Sequence, residues 1–347
     1  MVKPAWAFRK RIHLDMKLKT EVSIPVPQMF IRHSDKLLLM GSCFAESMAE
    51  HFVAGKFRCD VNPFGTLYNP MSIRQTLMRI ADNRLLAENE VHYFDGVGWC
   101  SWEHHSRFAS SSKEEALEKM NKRVSFSSHW LGEADVLVVT FGSAWVYRLQ
   151  STGAVVSNCH KQKERLFLRS LLSVDEIVSE WKGLLRHLHE MNPRLRVLFT
   201  VSPVRYLRDG AHGNQLSKAT LLLSIQRLMK ETNGVLSTDY FPAYEILQDE
   251  LRDYRFYADD MVHPSSLAEL YIWERLSQTF FDNRTREIIA EWKEVSKALA
   301  HRPFRPHSDE YKQLIRQTML KIETIRKKIP YFDVEKEIAQ CHTLLNE

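Results

Sequence analysis

Apolar and polar positions along this chain alternate between two periods. Short apolar runs at residues 37–40, 136–141, 197–201 and 235–238, with a shorter one at 58–61, read as strands. Between them, apolar residues recur every three or four positions over about 43–54, 70–80, 112–122, 173–190 and 215–231, the spacing of helices with one buried face. This alternation predicts an α/β fold, a parallel sheet with helices on both faces. Sites in such sheets form beyond the carboxyl ends of the strands, so Ser42, Gly142 and the Ser202-Pro203 turn, which all follow strand ends, are expected along one edge.

Two regions depart from the alternation. Residues 84–111 carry Tyr93-Phe94-Asp95-Gly96-Val97-Gly98-Trp99 and Trp102-Glu103-His104-His105, and predict a hairpin turning near Asp95-Gly96. Such an aromatic insertion either covers a pocket and stacks on a sugar ring or packs against the body of the domain. From Pro264 onward the pattern is helical only. Ile288, Ile289, Trp292, Val295 and Leu299 mark one helix and Tyr311, Leu314, Ile315, Ile322 and Ile325 another, with a proline-rich break at 303–306. These helices would pack over the body or mediate self-association. The most basic segment, 316–328, interleaves Met319, Leu320, Ile322 and Ile325 and reads as a solvated helix face rather than a binding arm.

Chemistry concentrates where the first apolar run breaks. Leu37-Leu38-Leu39-Met40 gives way to Gly41-Ser42-Cys43-Phe44-Ala45-Glu46, and Phe44, Met48 and Phe52 then follow at helical spacing. Ser42 therefore stands at a strand-to-helix turn, at the positive end of the helix. There a hydroxyl can be exposed while backbone N–H groups point outward, as acyl transfer requires; a serine there can also be a plain helix cap. Far along the chain, Asp260 precedes His263 by three residues in a loop ahead of a helix starting near Ser265. Its carboxylate can fold back on the imidazole, select the tautomer and support the imidazolium formed when His263 takes a proton from Ser42. The alternative is a turn residue and a surface histidine. Cys43 is a rival nucleophile, since a thiol at a helix N-terminus can ionise near neutral pH, or else a small buried side chain.

These residues carry a resemblance. Gly-Ser-Cys-Phe-Ala at 41–45 resembles the signature of the GSCFA family, a bacterial group similar to the SGNH/GDSL hydrolases. So do Asn62-Pro63-Phe64-Gly65 with Leu67-Tyr68-Asn69-Pro70, His104-His105-Ser106-Arg107-Phe108, Gly142-Ser143-Ala144-Trp145-Val146-Tyr147, Asn158-Cys159-His160-Lys161, Thr200-Val201-Ser202-Pro203-Val204-Arg205, the runs 209–219 and 254–264, and His301-Arg302-Pro303-Phe304. The resemblance covers about residues 16–310. It implies a three-layer α/β/α, flavodoxin-like fold, Ser42 as nucleophile, and Asp260 and His263 as the remaining triad members. It further implies an oxyanion hole of the Ser42 N–H, a glycine N–H and an asparagine side chain. Gly65 is the candidate glycine. The asparagine expected after the strand at 136–141 is missing, and Gly142-Ser143-Ala144-Trp145 stands there. Ser143, Asn62, Asn69, His104 and His105 are the possible replacements, each with an ordinary capping, turn or packing role as its alternative. Arg205 would reach an anionic substrate group or form a structural salt bridge.

Composition narrows the reading. With 347 residues and 44% apolar content the chain can bury a large core. Apolar runs fall short of the ~18 residues of a membrane span. The basic first residues lack a stretch of signal-peptide length, which gives a cytoplasmic expectation. Residues 1–15 read as an N-terminal extension, expected to be disordered, 16–283 as the hydrolase domain and 284–347 as a helical appendage. The five cysteines, Cys43, Cys59, Cys100, Cys159 and Cys341, have neither disulfide-framework nor zinc-site spacing. His187 and His189 lack the spacing of a zinc helix. A net charge of +5, interspersed, predicts no nucleic acid, and nucleotide signatures, metal sites and cofactors are not expected. The expectation is a serine hydrolase that cleaves an O-acyl ester, such as an acetylated carbohydrate, without a cofactor. An O-acyltransferase using the same residues and a non-catalytic binding protein on a hydrolase scaffold are the alternatives.

Overall fold

The computed structural model describes residues 19–305 and 307–346; the extension expected over 1–15 lies outside the described residues. A central sheet is built from β1 (Lys36–Gly41), β2 (Arg58–Val61), and three strands from later in the chain. With the intervening elements, these are α1 (Cys43–Ala54), α2 (Pro70–Ala81), β3 (His92–Phe94), β4 (Gly98–Cys100), α3 (Lys113–Glu133), β5 (Val136–Phe141), β6 (Trp145–Leu149), β7 (Val155–Val156), β8 (Phe167–Leu171), α4 (Val174–Met191), β9 (Arg196–Val201), α5 (Gly210–Glu231) and β10 (Thr238–Phe241). The short α6 (Ala243–Glu245) runs into a π turn and is followed by α7 (Ser266–Phe280), α8 (Asn283–Ala300), α9 (Asp309–Lys328) and α10 (Glu335–Asn346).

The sheet order is β2-β1-β5-β9-β10, and every pairing is parallel. Counting only these strands, the order is 2-1-3-4-5, that of flavodoxin-like doubly wound sheets. The strands have apolar residues on both faces. Leu38, Met40, Leu137, Val139, Val197 and Phe199 pack under α2 to α5, whereas Leu37, Leu39, Val136, Val138 and Leu198 pack under α1 and α7. Burial of alternate residues into opposite layers explains why the strands read as continuous apolar runs. The three-layer α/β/α class expected from the sequence is the one observed.

Register then sets the functional edge. Gly41 pairs with Thr140 and Thr140 with Thr200, so the carboxyl ends of β1, β5 and β9 are level, and Ser42, Gly142 and Ser202 follow them side by side.

Several elements differ from the sequence reading. The last strand is Thr238–Phe241 instead of 235–238: Val235 sits in the turn that ends α5, its N–H bonded to Thr232 O at 3.0 Å, and is half exposed. Helix α3 runs eleven residues past 122, to Glu133, because its buried face continues through Val124, Ser127 and Leu131. Ser127 breaks the apolar period, yet it is buried and donates to Asp60 Oδ2 at 2.7 Å. The sequence reading contained neither α10 nor the three-stranded antiparallel sheet β7-β6-β8.

The aromatic hairpin β3-β4 is present, with Gly96 in the left-handed region at its turn. It packs on the body: Phe94 and Cys100 are buried, and the Phe94 ring stacks on His160 at 4.2 Å. Helices α8 to α10 bury their own cluster around Trp292, Ile315, Ile322 and Phe332. Lys56 joins it to the sheet domain through Glu337, 2.7 Å away, and by lying over the Trp292 ring. No described helix is long and apolar enough to cross a membrane.

Candidate active site

The turn after β1 is shaped by two glycines and an asparagine. Gly41 has φ +149°, and a Cβ there would sit 2.3 Å from Thr140 O, so only glycine lets β1 end against β5. A Cβ on Gly142 would lie 2.9 Å from Tyr68 O and 3.2 Å from Ser42 Cβ. Asn62 Oδ1 accepts the Gly41 N–H at 2.8 Å, and its Nδ2 donates to Glu46. Asn62 is fully buried behind the turn, away from the cavity, and acts as a buttress.

Ser42 occupies the N-cap of α1 in extended conformation, but its side chain makes no capping bond. It is 1% exposed, and its Oγ is without a hydrogen-bond partner among the described residues. A buried hydroxyl in this state is free to pair with a group that the described residues do not supply.

The second half of the site is a closed loop ahead of α7. Asp260 Oδ2 receives His263 Nδ1–H at 2.6 Å, and Oδ1 accepts the N–H groups of Val262 and His263, both at 2.9 Å. These bonds, led by the two from backbone, pull the Asp260 carboxyl down to about 2. Because a carboxylate can only accept, Nδ1 of His263 carries the proton in this bond, and Nε2 is the ring nitrogen left for a second partner. The left-handed Met261 (φ +56°) tightens the turn, and Arg205 N–H holds Val262 O at 3.1 Å.

His263 Nε2 lies 3.5 Å from Cys43 Sγ, while the Ser42–His263 hydrogen bond is not formed. Burial pushes the Cys43 thiol up, against the pull of the helix terminus. Ser42, Cys43 and His263 all border one cavity of about 580 Å³ at the carboxyl edge of the sheet.

The remaining sequence candidates separate cleanly. Gly65 does not reach the cavity, and its N–H donates to Asn62 O at 2.8 Å. It is glycine because φ is +90° and a Cβ would stand 2.2 Å from His105 Cβ. His104 is fully buried, stacked on Phe64 at 3.8 Å and bonded through Nδ1 to Ser101 Oγ at 2.7 Å; burial keeps it neutral. His105 accepts the Arg107 N–H on Nδ1 and also lies off the cavity. The histidine pair therefore packs and caps rather than lining the cavity. Ser143 lines the cavity, but its N–H donates to Tyr68 O and its Oγ accepts from Trp145 N–H. Asn69 lines it too. Its Oδ1 caps α2 at Ser72 N–H and one Nδ2 proton goes to Ser72 Oγ, which leaves the second Nδ2 proton uncommitted. Arg205 is on the cavity wall.

Sequence reasoning missed Lys218 and the β6-β8 wall. Lys218 is 1% exposed and its Nζ donates to Gly142 O and Ser202 O, both at 2.7 Å, clamping the ends of β5 and β9. Burial lowers its ammonium to about 7, and a neutral amine has two N–H groups to match these two acceptors. Its signal was a lysine in register with Leu221, Ile225 and Leu228 on the apolar face of α5. From β6 and β8 come Trp145, Tyr147, Phe167 and Arg169, with the Arg169 guanidinium 4.2 Å over the Trp145 ring. Among the described residues, no group of three or more His, Cys, Asp or Glu is placed to hold a metal.

Fold and site together define a doubly wound α/β protein with an Asp-His pair facing a serine turn at the carboxyl edge of its sheet. The chain belongs to the GSCFA family, whose sequence model matches residues 36–276; that of the GSCFA domain protein C-terminal domain matches residues 292–347. A comparison with curated proteins found no match. Solved structures similar to this chain include a mutant acetyl esterase with acetate ion (12% identity, TM-score 0.33, covering 75% of this chain and 99% of that one). Others are a carbohydrate esterase family 3 protein from Talaromyces cellulolyticus (11%, TM-score 0.32, 75% and 99%) and an acetyl xylan esterase from the rumen bacterium Butyrivibrio proteoclasticus (14%, TM-score 0.28, 74% and 66%).

Proposed function

We propose that this protein is a serine esterase that cleaves an O-acyl ester through an acyl-serine intermediate. The observation that carries the reading is the 2.6 Å Asp260–His263 pair on the same cavity as the buried, unpartnered Ser42 hydroxyl at the N-terminus of α1. Ser42 Oγ attacks the acyl carbonyl while His263 Nε2 takes its proton, and Asp260 stabilises the imidazolium. The proton then passes to the leaving alcohol, and water, activated by the same histidine, releases the acid. Rotation about the Ser42 Cα–Cβ bond brings Oγ toward the imidazole once substrate displaces the Cys43 contact. The Ser42 N–H and the second Nδ2 proton of Asn69 are the oxyanion donors of this scheme. Asn69 replaces the asparagine missing after β5, and Gly65 has no part. Trp145 and Tyr147 give the cavity the aromatic wall that a sugar ring favours, which supports an acylated carbohydrate as substrate.

The His263–Cys43 contact favours a second reading with Cys43 as nucleophile. Its raised thiol argues against it. Hydrolysis of p-nitrophenyl esters, acetate to octanoate, separates the two. Under the serine reading Ser42→Ala and His263→Ala lose turnover and Cys43→Ser keeps it; loss in Cys43→Ser with retention in Ser42→Ala assigns the thiol. Adding acceptor alcohols to the same assay distinguishes hydrolysis from acyl transfer, since a transferase yields the new ester in preference to free acid. A folded protein that turns over neither these esters nor acetylated sugars is a binding protein.

A further inference from the structure

Three residues that line the cavity each carry a side-chain N–H that the described residues leave unpaired. Buried N–H groups without an acceptor among the described residues include Trp145 Nε1, Arg169 Nε and Arg205 Nε, and all three residues line it. Such groups can only donate, so any group that pairs with them brings an acceptor.

Charge points the same way. Six ionisable side chains that matter here border the cavity: Lys161, Glu164, Arg169, Arg205, Arg208 and His263. Arg169 is neutralised through both terminal nitrogens by Asp209, Arg208 by Glu164, and His263 is bonded to Asp260. Arg205 and Lys161 are left, and among the described residues neither has an ion-pair partner or a side-chain hydrogen bond. The structural salt bridge that would otherwise account for Arg205 is therefore not made among the described residues. Its backbone N–H is bonded to Val262 O, beside His263, which fixes the arginine to the loop that carries the base.

We propose that the ester cleaved here is anionic, and that Arg205, with Lys161, receives a carboxylate on the substrate while Ser42 attacks the acyl group. This rests on the esterase reading and names its substrate class: an acylated acidic compound, such as an O-acylated uronic acid, in place of a neutral sugar ester. Arg205 suits the role because a guanidinium meets a carboxylate with two parallel N–H bonds and stays charged at every working pH. Burial beside low-dielectric aromatic walls strengthens the pairing.

The test compares 4-acetoxybenzoate with its methyl ester, which differ by one charge, after correction for their rates of alkaline hydrolysis. The expected result is a preference for the anion of about tenfold or more in kcat/KM. It should collapse to less than about twofold in Arg205→Gln, recover in part in Arg205→Lys, and shrink with added salt. A ratio near one, or one unmoved by Arg205→Gln, overturns the anion site while turnover of the neutral ester leaves the esterase reading standing. If neither ester is turned over, the esterase reading fails, and calorimetric binding to the Ser42→Ala protein still decides the anion site. Tighter binding of 4-acetoxybenzoate than of its methyl ester, lost in Ser42→Ala/Arg205→Gln, supports the site. Equal binding of the two overturns it.

Discussion

The Ser42 hydroxyl accepts nothing from the first turn of α1, so Ser42→Ala removes no capping bond. Unfolding free energy should stay within about 1 kcal/mol of wild type, below the usual loss for a working cap. Esterase turnover should fall by ~10³-fold or more. Urea titration and steady-state kinetics on one preparation check both. Asp260→Asn keeps an oxygen for the Val262 and His263 N–H groups but presents an amide to Nδ1, which favours the wrong tautomer, and kcat should drop by ~10⁴-fold. With its carboxyl held at about 2, Asp260 is ionised across the working range and adds no limb to the pH–rate profile above pH 4. Its bonds contribute stability above its unfolded value of 3.8, and that contribution is lost as pH falls through the folded value. The Asp260–His263 bond and the place of Ser42 on the same cavity were legible because residues of these types, in this order and spacing, point to one arrangement. That Gly65, His104 and His105 lie off the cavity was not legible, because sequence shows a residue type without showing where its N–H or ring is used.

At the scale of elements, Lys218 links α5 to the ends of β5 and β9. Its folded value of about 7 lies below the unfolded 10.5, so between these limits the unfolded chain binds the extra proton and stability rises with pH. The stability difference between wild type and Lys218→Met, from urea titrations at pH 7, 8 and 9, should therefore shift in favour of wild type as pH rises. A difference independent of pH would mean that Lys218 keeps its proton throughout. Strands β1, β5 and β9 were legible because burial on both faces makes them nearly unbroken apolar runs. The β6-β8 sheet escaped notice because Val146 turns inward while Trp145, Tyr147 and Arg169 border a cavity, leaving a mixed pattern over short strands.

Across the whole molecule, the cavity is assembled from segments between Ser42 and His263, and α8 to α10 contribute nothing to its lining. Trp292, whose ring meets Phe332 at 5.0 Å and supports Lys56, anchors those helices. Trp292→Ala should cost about 3–5 kcal/mol within the C-terminal unit, seen as faster limited proteolysis there, with kcat and KM on p-nitrophenyl acetate unchanged. A parallel loss of kcat would show that the helices brace the active site.

By itself the sequence determined the layered α/β class, most of the parallel strands, the strand-to-helix turn at Ser42 and the Asp260–His263 pair. Each is encoded locally, by apolar period or by residues at most three positions apart. Only the tertiary structure decided which donors stay unpaired among the described residues, that the aromatic hairpin packs inward, that Lys218 ties two strand ends together and that no described residue is a counter-ion to Arg205. Those outcomes depend on neighbours supplied by residues far apart in the chain, and a hydrogen bond or an ion pair exists only where folding brings both partners within about 3 Å.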